Sequence, residues 1–135
     1  MAIIRMKYTL LDEITRYATG HLPEEACGLI AGKKDGNNKS IEKVYCLTNI
    51  DHSNEHFSLD PKEQLKALKD ARANGYKIIG NFHSHPESPS RPSEEDKRLA
   101  FDPAIEYLIL SLMEEGNPVL KAFGIDKEKN VTIDR

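Results

Sequence analysis

Residues 26–32, Ala-Cys-Gly-Leu-Ile-Ala-Gly, form an unbroken run of small and apolar side chains. The run is too short for a buried helix and holds two glycines, so it reads as a strand buried on both faces. The polar turn KKDGNNK separates it from SIEKVYCLTN, whose alternating character marks a second strand. The two read as a hairpin. AIIRM is a first strand, and Leu10, Leu11, Ile14, Tyr17 and Ala18 follow helical spacing up to Gly20. In DPKEQLKALKDARANG, Asp60 is placed as N-cap, Pro61 as first helical residue and Glu63 as capping-box partner. Leu65, Leu68 and Ala71 would form its apolar face, and Asn74-Gly75 its end. YKIIGNFHSH, IEYLILSLM, VLKAFGI and VTIDR are further strands, with a short helix at SEEDKRLAF. Helices interspersed among strands predict an α/β or α+β sandwich rather than a bundle.

Length and charge narrow the function classes. The 135 residues suit one domain, 1–135, able to bury a single core. No apolar stretch approaches the roughly 20 residues of a membrane span. The N-terminal MAIIRMKYTLLDEITRYATG has too short an apolar start for a signal peptide, which points to the cytoplasm. A net charge of −3 without a dominant basic patch gives nucleic acid no foothold. Cys27 and Cys46 fall in apolar runs and read as buried free thiols.

The chemistry concentrates in GNFHSHPESPSRPSEEDKRLA, residues 80–100. On a strand, His83 and His85 project from the same face with Cβ atoms about 7 Å apart, a spacing that lets two imidazoles meet one ion. The turn-rich PESPSRP would then bring round Asp96, in the first turn of the following helix. Two histidines, a carboxylate and a water make a catalytic zinc sphere. The same residues also fit a plain reading, in which Ser93 and Asp96 form a helix N-cap box after two ordinary histidines. A metal-bound water further needs a proton acceptor, and Glu24 and Glu25 stand just before the buried strand. Residues 52–56, HSNEH, match the inverted zinc-protease pattern with His52, Glu55 and His56. Their surroundings lack helical periodicity and favour a polar loop near the cleft.

Taken together, PEEACGLIAG and GNFHSHPESPSRPSEEDKRLA resemble the JAMM (MPN-plus, or JAB) metalloprotease family. The matching elements are Glu25-Ala26-Cys27-Gly28, His83-Ser84-His85-Pro86, Ser93 and Asp96, in the family's order over nearly the whole chain. The resemblance implies the JAMM/MPN, cytidine-deaminase-like α/β sandwich, with a curved, mostly antiparallel sheet flanked by helices. It implies Zn2+ held by His83, His85 and Asp96, Glu25 as general acid/base, and Ser93 as donor to the bound water or developing oxyanion. The implied reaction is hydrolysis of a peptide or isopeptide bond after the Gly-Gly tail of a ubiquitin-like or sulfur-carrier protein. The chain's size resembles the small prokaryotic members that act on sulfur carriers. Non-catalytic MPN scaffolds share the fold but typically lack the ligands, which are present here. The oligomeric state is left open.

Overall fold

The computed structural model describes residues 3–54, 57–99, 104–124 and 128–135. The elements run β1 (Ile4–Lys7), α1 (Tyr8–Gly20), β2 (Cys27–Asp35), β3 (Asn38–Leu47) and α2 (Pro61–Ala73). They continue with β4 (Lys77–His85), α3 (Glu94–Leu99), β5 (Glu106–Ser111), β6 (Val119–Phe123) and β7 (Glu128–Asp134). The strands form one mixed sheet in the order β1-β3-β2-β4-β5-β6-β7, curved until β7 pairs with β1 and closes it. The pairings of β2 with β3 and β4, and of β6 with β5 and β7, are antiparallel; β1 with β3 and β7, and β4 with β5, run parallel.

The hairpin is tighter than the polar run suggests. Lys33, Lys34 and Asp35 stay in β2, paired with β3 down to Asp35 opposite Asn38. Gly36 takes φ +61°, the left-handed conformation that a two-residue hairpin loop needs. Inside the sheet, Gly28 is required by close approach: a Cβ there would meet the Tyr45 carbonyl and the Phe82 ring.

Two helices cover opposite faces. Ile14 and Ala18 of α1 join the main core with Ile4, Met6, Ile30, Ile41, Phe82, Leu108 and Leu110. On the other face Ala67 of α2 packs with Leu29 and Leu47. The expected apolar stripe of α2 is corrected by this packing. Leu65 and Leu68 are 52% and 39% exposed, whereas Ala67 and Ala71 are 3% and 0% exposed. Small side chains let the helix axis approach the sheet, and the leucines are left at its flanks. Asp60 does cap α2, accepting from Lys62 N at 2.9 Å, and Pro61 is its first residue. Glu63 does not close the capping box. Its carboxylate instead accepts from Thr48 N at 2.8 Å, tying the helix start to the end of β3.

A register shift between β2 and β4 sets the direction of the histidines. Ile30 lies opposite Gly80 but Ala31 lies opposite Ile78, which leaves Ile79 as an extra residue. Alternation therefore resets, with Ile78 on the α2 side and Phe82 on the α1 side. His83 and His85, of opposite parity to Phe82, end up facing the α2 side.

Candidate metal and catalytic site

His83, His85 and Asp96 converge on one point. The Nε2 atoms of the two histidines lie 3.2 Å apart. Asp96 Oδ2 is 3.2 Å from His83 Nε2 and 3.1 Å from His85 Nε2. The imidazoles are 3% and 5% exposed. His85 Nδ1 lies 2.9 Å from the Pro89 carbonyl, to which it can only donate. That contact fixes the tautomer and turns the Nε2 lone pair inward. Three electron-pair donors crowded together in a buried spot repel unless a cation or shared protons lie between them. A tetrahedral zinc with bonds of about 2.05 Å would separate its ligands by about 3.4 Å, close to these spacings. The donor set therefore fits zinc.

Asp96 is aimed by the start of α3. Ser93 Oγ accepts from Asp96 N at 3.0 Å, and Asp96 Oδ2 accepts from Ser93 N at 2.9 Å, a reciprocal capping box. The capped helix and the candidate metal cluster thus share these residues, and the cap orients Asp96. Burial pushes the Asp96 carboxyl up, but its pairing with His83 and His85 and the hydrogen bond from the Ser93 N–H outweigh it, so it sits far below the usual carboxylate range. Burial pushes His83 down and keeps it neutral, despite Asp96. For His85 the same burial is outweighed by Asp96, the Pro89 carbonyl and the charge of Glu25, and the net direction is up.

Glu25 stands two residues before β2, near enough for its charge to act on His85. Cys27 lies opposite His83, and Ala26 is bonded across to Ser84, so Glu25 comes abreast of His85. It is 4% exposed. Glu24 points elsewhere: its Oε1 lies 3.4 Å from His52 Nδ1, with a third of its side chain exposed.

Similarity to known proteins settles the family. The profile of the family described as prokaryotic homologs of the JAB domain matches residues 8–124. The chain belongs to the JAB (JAMM/MPN) family. A desampylase of Haloferax volcanii is 32% identical over 104 residues, 76% of this chain and 73% of that one. A CysO-cysteine peptidase of Mycobacterium bovis is 29% identical over 123 residues, 91% of this chain and 83% of that one. A solution structure of a Desulfitobacterium hafniense protein is 50% identical with a TM-score of 0.86, covering 98% of this chain and 92% of that one. A JAB1/MPN domain protein of Archaeoglobus fulgidus shares the fold, at 23% identity and a TM-score of 0.66, covering 98% of this chain and all of that one (100%). With peptidases as its relatives, this JAB-family chain is a hydrolase.

Three further residues shape the site. Ser84, between the two histidines and 1% exposed, accepts from Ala26 N at 2.8 Å while its own N–H donates to the Ala26 carbonyl at 2.9 Å. These two bonds staple the glutamate's strand to the histidines' strand. The alternation of β4 could have marked Ser84, since a hydroxyl on the core face needs a partner. Phe57 stacks on His83, ring centroids 4.6 Å apart and planes 23° from parallel. Asn49, 6% exposed, bonds the Glu25 carbonyl at 3.0 Å. Both come from the loop between β3 and α2, whose polar composition hides their roles.

Among the described residues the rival zinc-protease pattern has no helix. His52 has φ +47°, is exposed, and lies outside the described helices; Glu55 and His56 are outside the described residues. Both thiols are free as expected, but only Cys27 is fully buried; Cys46 is half-buried. Burial, reinforced at Cys27 by Glu25, pushes each thiol up to about 12, so neither is a nucleophile. Among the described residues no helix is long and apolar enough to cross a membrane. Two open cavities are lined by chain neighbours of the site residues and by none of His83, His85, Asp96 or Glu25. One, about 460 Å³, is bordered by Pro89, Arg91, Met113 and Val119; the other, about 630 Å³, by Glu24, His52 and Ser53.

Proposed function

We propose that this JAB-family hydrolase is a zinc-dependent peptidase or isopeptidase. It would act in the cytoplasm, as one domain over residues 1–135, on the bond after a C-terminal Gly-Gly. The substrate is a ubiquitin-like or sulfur-carrier protein, the class named by its desampylase and CysO-cysteine peptidase relatives. The observation that carries the reading is the convergence of three acceptor atoms within 3.2 Å beside a buried glutamate.

His83, His85 and Asp96 would hold the zinc, which supplies Lewis acidity and an acidified water when bound. Glu25, abreast of His85 and shielded from solvent, accepts a proton and passes it to the departing amine. Ser93 uses its oxygen to accept the Asp96 amide, which leaves its O–H to meet negative charge on the substrate carbonyl. The depressed pKa of Asp96 and the neutral His83 keep two ligands in their metal-binding forms across the neutral range.

The test is to incubate zinc-loaded protein with carriers extended past Gly-Gly and weigh the products. Release of the extension, abolished by a chelator, is expected. Chelator-insensitive cleavage, or full activity in Glu25→Gln, overturns the mechanism.

A further inference from the structure

The backbone of Glu25 is bonded by a loop, one residue before Ala26 is tied to β4. β2 begins only at Cys27, yet both polar backbone groups of Glu25 are bonded. Its N–H donates to the Ser53 carbonyl at 2.7 Å, and its carbonyl accepts from Asn49 Nδ2 at 3.0 Å. Asn49 is also the clasp of the loop it belongs to. Its Oδ1 accepts from Asp51 N at 3.0 Å and from Ser58 N at 3.2 Å, and its Nδ2 lies 3.5 Å from the Ser53 carbonyl. The Ile50 N–H donates to Ser58 O at 3.0 Å, and an isolated bridge joins Asn49 to Leu59 across the loop's neck.

This network fixes which way the amide points. Two backbone N–H groups meet one end of the side chain and two backbone carbonyls meet the other, so the first end must be oxygen and the second nitrogen. Aspartate keeps the shape and the acceptor but cannot donate, and its second oxygen would face two carbonyl oxygens. The same loop lays Phe57 on His83, so one segment touches both the metal cluster and the glutamate.

We infer that Asn49 is the positioning residue for Glu25: through the Glu25 carbonyl it fixes the backbone that carries the carboxylate beside His85. The inference rests on Glu25 being the acid/base proposed above. The Asn49 side chain bonds backbone groups of Glu25, Asp51 and Ser58, and its proposed role runs through Glu25. A misplacement of the order of an ångström at a proton-transferring group is worth about a hundredfold in rate.

The experiment compares wild type with Asn49→Asp, loaded with zinc, on the extended carrier. Turnover should fall about tenfold to a hundredfold with KM changed less than about twofold. Bound zinc should stay at one per chain, and the Glu25 amide should exchange with solvent faster by NMR. Should Asn49→Asp not fold, Asn49→Ser serves, because its hydroxyl is too short to reach the Glu25 carbonyl. Unchanged turnover with unchanged Glu25 exchange overturns the inference, as does a loss of turnover that follows loss of zinc. An active Glu25→Gln instead removes the acid/base reading beneath it. An inactive Glu25→Gln beside a fully active Asn49→Asp removes the positioning role alone.

Discussion

The two walls of the site are built by opposite means. His83, His85 and Asp96 come from one short stretch, and local devices aim them: strand alternation, the Pro89 carbonyl and the box between Ser93 and Asp96. Glu25 comes from some sixty residues earlier, and long-range bonds from Ser84, Ser53 and Asn49 hold its segment. A metal cluster tolerates little freedom in its ligand directions, which suits a locally rigid frame. Glu25, the proposed proton carrier, would serve two partners in turn, and its frame is a loop and a neighbouring strand. The contrast predicts that metal binding and proton transfer can be damaged separately.

The largest effect belongs to the metal wall. His83→Ala should abolish zinc binding and reduce cleavage to background, as measured by metal analysis and product mass; retention of stoichiometric zinc would move the site elsewhere. Ser93→Ala should keep zinc but lower turnover about 10²–10³-fold if its O–H meets the oxyanion. The missing cap costs about 1 kcal/mol of stability besides, read by denaturant unfolding. A turnover loss no greater than that small destabilisation explains would reduce Ser93 to a cap. Ser84→Ala leaves the Ala26 N–H buried without its acceptor and should cost about 1–3 kcal/mol, with zinc retained and turnover reduced. Equal loss of zinc and turnover there would mean the two walls are one unit.

The smallest effect concerns the thiols. Cys27 and Cys46 are held at about 12 in the folded chain, above the unfolded value of about 8.5. A pKa raised by folding contributes stability that is complete below about pH 8.5 and fades as pH climbs toward 12. Unfolding midpoints should therefore be insensitive to these groups near neutrality and decline above about pH 9. At pH 8 iodoacetamide should label the denatured chain quickly and the native chain hardly at all; rapid native labelling would break this account of their burial.

What could be read in the sequence follows the same division. The buried strand after Glu25, the hairpin, the cap at Asp60 and the box at Ser93 depend on neighbours a few residues away, and the structure has each of them. The contacts of α2 depend on how the helix lies across the sheet, so periodicity alone assigned Leu65 and Leu68 to a core that Ala67 and Ala71 fill. Glu63 looked like a local cap and turned out to bond Thr48. The choice of Glu25 over Glu24 came from the family pattern, and its physical reason, the pairing of Ala26 with Ser84 that sets Glu25 abreast of His85, appears only in three dimensions. Asn49 and Phe57 lay in a segment whose polar composition announces a loop and nothing about what the loop holds.

The most direct test of the divided site is Glu25→Gln, with bound zinc and turnover on the extended carrier measured on the same sample. One zinc per chain, with turnover down about 10²–10⁴-fold, is the predicted result. Full turnover, or turnover and zinc lost together, would contradict it.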